Sequence, residues 1–359
     1  MKSPLADRAL KNFQRRLLKW FHAHQRDLPW RTSRDPYRIW VAEVMLQQTR
    51  IAAVMPYYQR FLDRFPDVRS LARAPQAEVL KQWSGLGYYR RARNLHSAAK
   101  QIMARHGAQF PRELDDALNL PGIGVYTAAA VLSIAYDVRL AVLDGNVARV
   151  LARINAVRGD LRAPKTWALL TATASQLLAR ESPSDWNQSL MELGEVICTP
   201  LSPRCSVCPV RNWCRAHASG LQSEIPAPRR KRAAIKVKIA AAVLLDAQGR
   251  TLLVQDPGAH DQVLFSRMWQ FPAIEVTHRP KDALAAHLRS TFAFHGTLAL
   301  ESLPAARHGV TFRSIALLPF LARMPQLPRL PRTRIVPLED VDNLPISSAT
   351  RKIAAAVSR

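Results

Sequence analysis

The chain has 359 residues, 48% of them hydrophobic, and its 52 Lys and Arg against 27 Asp and Glu give a formal net charge of +25. This length favours about two domains, and the positive charge favours a polyanionic partner, most simply nucleic acid, although ribosomal and membrane-surface proteins share such a balance. No apolar run is long enough to span a bilayer, and Met1 to Lys11 is too polar for a secretory leader, so we expect neither a membrane protein nor a secreted one.

The first predicted helix covers residues 8–24. Its apolar side chains follow a helical spacing, and its outer face is basic. The Leu28-Pro29-Trp30-Arg31 segment ends this pattern. Trp30 is either a core residue, the commoner role of a tryptophan, or a lid over a planar ligand.

A second helix is predicted from Pro36, which suits a first helical turn. From Ile39 to Leu46 this helix is apolar nearly all round and therefore buried, yet Glu43 lies in its middle. Gln47 and Arg50 follow Glu43 at i+4 and i+7, which predicts one polar stripe on a buried helix. A buried Glu either pairs with an arginine elsewhere, a structural role, or has a raised pKa that suits a general acid near neutral pH.

A tight turn at Pro121-Gly122-Ile123-Gly124 joins the end of one predicted helix to an Ala-rich helix over 125–135. Such a turn directs backbone N–H groups outward, where they can hold a phosphate. After an extended run over 138–143, Asp144 begins a further helix over 146–154. In the simpler interpretation the turn only joins two helices and Asp144 only caps a third. Together, however, they bring a carboxylate close in sequence to a phosphate-binding turn.

Two more helices are predicted, over 161–180 and from Asp185 towards Cys198. All four cysteines then fall in one short segment, which in a reducing compartment favours a metal site over disulfides. Four thiolates this close can hold either tetrahedral zinc or an iron–sulfur cluster, and spacing alone slightly favours zinc. The candidate ligands are Cys198, Cys205, Cys208 and Cys214.

Residues 224–238 are rich in proline and basic side chains, including Arg229-Arg230-Lys231-Arg232, and predict an interdomain linker. After this linker the pattern changes from helical to β. The predicted strands cover 239–245, 251–255 and 314–321, and the predicted helices cover 282–291 and 349–358.

The hairpin turn and its trailing Asp144 resemble the helix-hairpin-helix motif of the base-excision DNA glycosylases related to endonuclease III. Four segments resemble the adenine DNA glycosylases, the MutY family: Leu-Pro-Trp-Arg at 28–31, Trp-Val-Ala-Glu-Val-Met-Leu-Gln-Gln-Thr at 40–49, Pro-Tyr-Tyr at 56–58, and Gly85 to Asn94. This resemblance covers nearly the whole chain and implies a multidomain α and α+β protein. Its parts would be an all-α helix-hairpin-helix glycosylase domain over 1–223 with an iron–sulfur cluster loop at 198–214, the linker over 224–238, and a Nudix-like α+β domain over 239–359.

The cysteine spacing is similar to the cluster loop of the endonuclease III relatives and implies a 4Fe–4S cluster rather than zinc. The cluster would be a structural staple for a basic loop, with Arg204, Arg211 and Arg215 against DNA phosphates, and not the reaction centre. The expected partner is duplex DNA with adenine opposite 8-oxoguanine or guanine. We expect a monomer that binds no membrane and works in the cytoplasm of a bacterial cell.

The resemblance also implies two carboxylates in different environments, as glycoside hydrolysis requires. Glu43 would protonate the adenine ring nitrogen and later handle water. Asp144, at a polar helix start, would stay ionised and stabilise or briefly bond C1′. Bifunctional glycosylase–lyases of the superfamily carry a Schiff-base lysine at the position of Tyr126, so Tyr126 implies a monofunctional enzyme. Tyr126 and Asn146 would orient the carboxylates and the sugar phosphate.

Other residues are expected to hold the DNA and the extruded base. Tyr88, together with Gln48, would work beside the base opposite the target, in a segment that suits phosphate contacts and a wedge into the base stack. Asn187 and Gln188 would face the base pocket. The remaining expected contacts are Trp30, Arg31, Leu46, Gln47, Gly85, Leu86, Gly122, Gly124 and Thr311.

Two positions depart from the family pattern. The family contacts 8-oxoguanine through a Phe-Ser/Thr-His element, whose best match here lies within residues 308–312. That match keeps the hydroxyl as Thr311 but has Phe312 where His is expected. Met268 likewise replaces a glycine. No Glu-rich Nudix box is present, so pyrophosphohydrolase activity is not expected.

Three alternative functions stay open. One is another mismatch glycosylase of the superfamily, for instance one acting on thymine in T·G pairs, although the second β domain and the Glu43 helix argue against it. Another is a non-catalytic, cluster-bearing DNA-binding protein, in which Glu43 would be locked in a salt bridge. The third is a bifunctional lyase, which would require a lysine in place of Tyr126.

Overall fold

The computed structural model describes residues 7–227, 233–255, 268–292, 298–310 and 312–357. These residues form two compact units: the described parts of Met1–Arg73 and Asn94–Arg230, and the described parts of Ala74–Arg93 and Lys231–Arg359. The second unit therefore includes residues 74–93, which the sequence placed in the first domain. Residues 74–93 contact the rest of the second unit directly, because the side chains of Ser84 and Tyr89 both donate hydrogen bonds to the Ile346 carbonyl, at 2.8 and 3.0 Å.

Residues 7–227 are helical. Among all the described residues of the chain, no helix is long and apolar enough to cross a bilayer. Its helices are α1 (Asp7–His24), α2 (Pro36–Leu46), α3 (Ile51–Arg64), α4 (Val68–Arg73), α5 (Gln76–Trp83), α6 (Arg90–Arg105), α7 (Leu114–Leu118), α8 (Val125–Tyr136), α9 (Gly145–Ile154), α10 (Pro164–Leu177), α11 (Pro183–Val196) and α12 (Arg215–Ala218), with 3-10 turns at Pro29–Arg31, Cys205–Val207 and Arg211–Trp213.

Helix α2 is buried, as its sequence predicts, but it ends at Leu46. Gln47 leaves the helical conformation, and Gln48 adopts a positive φ of 57° that no helix allows. Arg50 instead caps the start of α3. The expected single stripe through Glu43, Gln47 and Arg50 on one helix is therefore wrong.

The hairpin joins α7 to α8 through the Pro121–Gly124 turn. Gly122 has a φ of +76°, and a Cβ at this position would lie 2.6 Å from the Asn94 Cβ, so only glycine fits. Gly124 caps α8 with an ordinary φ of −99° and open space around its Cβ position. The apolar, Ala-rich α8 packs against both α2 and α11, and this sandwich carries the side chains of the pocket described below.

Helix α9 begins at Asp144, whose side chain accepts a 2.7 Å hydrogen bond from the Val147 backbone N–H. The start of α9 packs closely on α11, because a Cβ on Gly194 would lie 2.8 Å from the Asn146 Cβ. The glycine of α11 therefore sets how near the Asp144 end of α9 can approach.

The second unit is built on a mixed sheet with helices on both faces. Its elements are β1 (Ile235–Leu245), β2 (Arg250–Gln255), β3 (Trp269–Gln270), β4 (Ala273–Glu275), α13 (Pro280–Phe292), β5 (Glu301–Ser302), β6 (Ala306–Val310), β7 (Arg313–Arg323), β8 (Thr333–Pro337), a 3-10 turn at Leu338–Asn343, and α14 (Ser348–Ala354). Strand β1 runs parallel to β7, from the pair Ile235–Arg313 to the pair Leu245–Arg323. The strand order is β3-β2-β1-β7-β5, with β4 on β1, β6 on β7 and β8 on β2.

Alternate residues of β1 serve two separate cores. Ala240, Ala242 and Leu244 pack with α13 on one face, while Val237 and Val243 on the other face share a core with α14. The prediction of an all-α domain followed by an α+β domain is confirmed. Strand β1 begins at Ile235, so the end of the expected linker at 238 is wrong, and the basic run 229–232 of that linker lies outside the described residues.

Candidate active site

A pocket of about 440 Å³ opens in the helical unit. Residues of α2, α8, α9 and α11 and of the segments that follow α1 and α2 line it. It gathers the greater part of the side chains that the sequence predicts for catalysis and for binding the DNA. They are Trp30, Arg31, Glu43, Leu46, Gln47, Gln48, Tyr126, Asp144, Asn146 and Gln188.

Glu43 lies in this pocket with only 6% of its surface exposed. Among the described residues its hydrogen-bond partner is the Tyr126 hydroxyl, which donates to Oε2 at 2.7 Å, and not an arginine. Burial raises the pKa of Glu43 to about 7; the nearby Asp144 adds to this rise, while the Tyr126 hydrogen bond and Arg31 oppose it. A carboxyl group with this pKa is protonated in about half of the molecules at pH 7, and that proton can pass to a bound base.

Tyr126 stays a neutral hydroxyl. Burial, and then the negative charges of Glu43 and Asp144, raise its pKa well above the usual value. Its oxygen also lies 3.8 Å from the Met191 sulfur, a weak acceptor. Tyr126 is therefore a fixed donor to Glu43, with no amine that could form a Schiff base.

Asp144 is less exposed to solvent than its position at the start of a helix predicts. Burial raises its pKa above the usual range, although the backbone N–H groups of Val147 and Asn146 and the charge of Arg149 act against this rise. Glu195 raises it further. The helix start thus favours the carboxylate form while the pocket wall disfavours it.

Asn146 is held at both ends of its side chain. Its Oδ1 accepts a 2.9 Å hydrogen bond from Arg149, and its Nδ2 donates at 3.1 Å to Glu195 Oε1. Arg149 also donates to the carbonyls of Gly194 and Cys198, both at 2.9 Å. The amide is therefore oriented by a network that begins beside the pocket and ends at the first cysteine of the loop.

A buried carboxylate on the pocket wall, Glu192, was not predicted from the sequence. Arg26 Nε donates to its Oε1 at 2.7 Å and Arg31 Nη2 donates to its Oε2 at 2.8 Å, while 1% of the Glu192 side chain is exposed. Burial favours the neutral acid, but these hydrogen bonds outweigh it and lower the pKa of Glu192. The available signal was its place on α11, one helical turn after Gln188.

The remaining expected pocket residues divide into two kinds. Trp30 is buried, meets Tyr58 edge-on at 5.3 Å between ring centroids and also lines the pocket. It is therefore a core residue, and its role as a lid over a planar ligand stays a prediction. Gln188 faces the pocket, as expected. Asn187 does not, because it is buried and hydrogen-bonded to Val142 N and to Leu140 O. Asn187 instead holds the extended segment before Asp144 in place. The expectation that Asn187 faces the base pocket is wrong.

Several expected DNA contacts lie outside the pocket lining. Gly122 and Gly124 form the hairpin turn described above. Gly85, Leu86 and Tyr88 belong to the second unit, where Tyr88 is 40% exposed with a φ of 49° and has the Arg91 guanidinium 5.3 Å from its ring centroid. Thr311 lies outside the described residues.

The four cysteines lie in one loop that Arg153 organises. This arginine is fully buried and donates to the carbonyls of Cys198, Thr199 and Pro200 and, from across the loop, to that of Ile225. Its Nη1 lies 3.3 Å from the Cys198 sulfur. A single rigid guanidinium thus joins the start of the cysteine loop to Ile225, eleven residues beyond Cys214.

The donor set of this loop fits an iron–sulfur cluster. Burial raises the pKa of the Cys208 thiol to about 12 and also raises the pKa values of Cys205 and Cys214, so bound iron is what would hold these sulfurs as thiolates. Within the described ranges, no three or more His, Cys, Asp or Glu side chains are placed to hold one metal ion. A 4Fe–4S cluster requires a different arrangement from a single zinc ion, because each thiolate binds a different iron of the cluster. When bound, the cluster would tie together the segments that carry Cys198, Cys205, Cys208 and Cys214.

Two protein families match this chain. The HhH-GPD superfamily base excision DNA repair protein family matches residues 41–173, and the iron–sulfur binding domain of endonuclease III matches residues 198–214. The second match covers the loop that holds all four cysteines and confirms the predicted 4Fe–4S cluster.

Curated relatives extend this match over the chain. The adenine DNA glycosylase of Rattus norvegicus is 34% identical over 95% of this chain and 77% of that protein. The adenine DNA glycosylase of Mus musculus is 44% identical over 57% of this chain, and that of Arabidopsis thaliana is 35% identical over 78%. The chain spans 42% of the mouse protein and 51% of the Arabidopsis protein.

Solved structures share the helical fold. A thermostable thymine-DNA glycosylase superposes with a TM-score of 0.55 at 29% identity, over 59% of this chain and 98% of that one. A trapped endonuclease III–DNA covalent intermediate superposes with a TM-score of 0.52 at 22% identity, over 60% of this chain and 99% of that one, a likeness of fold. With the pocket carboxylates, the cluster loop and relatives across nearly its full length, this chain belongs to the adenine DNA glycosylase family of base-excision repair enzymes.

Proposed function

We propose that this protein is a monofunctional DNA glycosylase that extrudes adenine from duplex DNA, where it is mispaired with 8-oxoguanine or guanine, and hydrolyses its N-glycosidic bond. The observation that carries this proposal is the buried Glu43, with a pKa of about 7 and a 2.7 Å hydrogen bond from Tyr126, in the same pocket as Asp144. Breaking a glycosidic bond needs an acid for the leaving base and a negative charge near the sugar.

The first step assigns one role to each carboxyl group. Glu43 gives its proton to a ring nitrogen of the extruded adenine, and the C1′–N bond breaks with its electron pair leaving on the base. The sugar then carries positive charge, which the Asp144 carboxylate stabilises from the start of α9. Water adds to C1′ and returns a proton to Glu43, so that the products are free adenine and an abasic site.

Tyr126 supports the monofunctional assignment. A glycosylase–lyase forms a Schiff base through an amine, and the residue that contacts Glu43 here carries a hydroxyl. We therefore propose that the DNA strand stays intact after base release and breaks only under later alkali treatment.

The choice of adenine is supported by the family of the relatives, whereas the opposite base has less support. The family element that contacts 8-oxoguanine is represented here by Thr311 and Phe312. Phe312 lies in the turn directly before β7 with 36% of its surface exposed, and the Arg313 guanidinium is 6.0 Å from its ring centroid. Its ring has no hydrogen-bonding group, so we propose that any preference for 8-oxoguanine over guanine is weaker than a histidine would give.

A second candidate is thymine release from T·G mismatches, since the solved thymine-DNA glycosylase is 29% identical over 59% of this chain. Single-turnover base release tests both candidates on duplexes with adenine opposite 8-oxoguanine, adenine opposite guanine, and thymine opposite guanine. Adenine release with strand breaks only after alkali is the expected result. Thymine release without adenine release would replace the proposal by the second candidate, and no release from any duplex would leave a DNA-binding protein.

A further inference from the structure

Glu195 lies on the rim of the pocket and has no role in the steps above. It is an exposed residue in the last turn of α11, and it lines the same pocket as Asp144 and Glu43. Its Oε1 accepts the 3.1 Å hydrogen bond from Asn146 Nδ2. An exposed carboxylate is ordinarily a solvated surface group, but this one touches a residue at the start of α9, two positions after Asp144.

The contact with Asn146 fixes which way its amide points. Arg149 can only donate, so Asn146 must present its Oδ1 to Arg149 and its Nδ2 to an acceptor. Glu195 is that acceptor. Gly194 brings the two helices into contact at this point, since its Cβ position lies 2.8 Å from the Asn146 Cβ and 3.2 Å from the Asn146 carbonyl. The start of α9 is therefore held against α11 by packing and by this hydrogen bond.

The charge of Glu195 also acts on Asp144. The groups that face Asp144 come from four helices: Arg149 on α9 together with the backbone N–H groups of Asn146 and Val147, Glu195 on α11, Glu43 on α2 and Tyr126 on α8. Arg149 favours the ionised form of Asp144, and Glu195 disfavours it. Glu195 is therefore a negative charge placed beside the carboxylate that stabilises the sugar.

We propose that Glu195 is a positioning residue for base release, which holds the start of α9, and with it the Asp144 carboxylate, through Asn146, and whose negative charge acts on Asp144. This inference rests on the proposed function for its kinetic consequence. The hydrogen bond and the charge can be separated, because Glu195→Gln keeps an oxygen acceptor for Asn146 and loses the charge, whereas Glu195→Ala loses both.

The two variants have different expected results. Without the negative charge Asp144 ionises more easily, so in both variants the acid limb of the single-turnover rate moves to lower pH by about 0.3 to 0.5 unit. In Glu195→Ala the start of α9 also loses its anchor, and the maximal rate falls by about three- to tenfold. Glu195→Gln restores the maximal rate. Glu181→Gln is the matched control, since Glu181 is exposed, precedes α11 and lies outside the pocket lining.

The experiment is the pH profile of adenine release from a duplex with adenine opposite 8-oxoguanine, for the wild type and the three variants, together with a carbon-13 NMR titration of the Asp144 carboxyl group in the free protein. A maximal rate in Glu195→Ala equal to that of the wild type overturns the inference, and so do an acid limb and an Asp144 titration that both stay unchanged in Glu195→Gln. If the wild type releases no adenine, the proposed function fails. The NMR titration then still decides whether Glu195 acts on Asp144.

Discussion

The Tyr126 hydroxyl donates a 2.7 Å hydrogen bond to Oε2 of Glu43, and this bond joins the helix that follows the hairpin turn to the buried helix α2. The bond itself favours the ionised form of Glu43, yet burial outweighs it and leaves a pKa of about 7. The same hydroxyl therefore orients the acid while about half of Glu43 keeps its proton at pH 7. This balance between a hydrogen bond and burial has direct consequences for activity.

The rate of base release should fall in alkali. Glu43 must be protonated to act as the acid, and its protonated fraction falls as the pH rises through about 7. Above that pH, the single-turnover rate should drop by about tenfold for each pH unit. A rate that stays level from pH 6 to pH 9 would contradict the role of Glu43 as the proton donor.

Glu192 should stabilise the fold at the pH values at which its carboxyl group is ionised. Its folded pKa is lowered by Arg26 and Arg31, so its stabilisation is present above the unfolded value of 4.5 and is lost as the pH falls through the folded value. Glu192→Gln leaves two arginines without their carboxylate and should cost on the order of 3 kcal/mol of unfolding free energy at pH 7, and less at pH 3. Urea unfolding at both pH values measures this, with Glu181→Gln as the exposed control. An equal loss at both pH values would show that packing, and not the ion pairs, is responsible.

The two hairpin glycines should respond differently to alanine. Gly122→Ala places a Cβ 2.6 Å from Asn94 at a φ of +76°, and should cost about 1–3 kcal/mol of stability. Gly124→Ala meets open space and should leave thermal stability nearly unchanged. If the turn holds a DNA phosphate, however, the added methyl group should weaken duplex binding several-fold. Calorimetry and a binding titration separate the two effects, and undiminished DNA affinity in Gly124→Ala would argue against phosphate binding at this turn.

Arg153→Lys should loosen the cluster loop. One ammonium group cannot serve the carbonyls of Cys198, Thr199, Pro200 and Ile225 that the guanidinium reaches. We expect a lower iron-to-protein ratio after purification and faster loss of iron to a chelator. Arg158→Lys, at an exposed position near the end of α9, is the control. Iron content equal to that of the wild type would mean that the cysteines alone determine how the loop holds the cluster.

Much of the site could be predicted from sequence because its signals are local. A single Glu in an apolar helix, a Pro-Gly-x-Gly turn and an Asp before a helix each stand out within a few residues of chain. The structure brings Glu43, Tyr126 and Asp144 into one pocket, as the family resemblance implied.

Long-range pairs could not be predicted in this way. Arg26 and Arg31 lie more than 150 residues from Glu192 in the chain, and no local pattern says which carboxylate an arginine will meet. The end of α2 was missed for a different reason. No Gly or Pro lies within residues 47–50 to signal the end of the helix. The helix stops where Gln47 leaves the helical conformation, and Gln48 then takes a positive φ that is unusual for its type. Short edge strands such as β5 and β6 carry too few residues for an alternating pattern to show.

The most direct test of the central claim is the single-turnover rate of adenine release for Glu43→Gln against the wild type, on a duplex with adenine opposite 8-oxoguanine at pH 7. Glutamine preserves the shape of the side chain and an acceptor for Tyr126 but carries no acidic proton. We predict a loss of at least about 100-fold in rate, with duplex binding and melting temperature at or above wild-type values. A variant that still releases adenine within about tenfold of the wild-type rate would contradict the assignment of Glu43 as the catalytic acid.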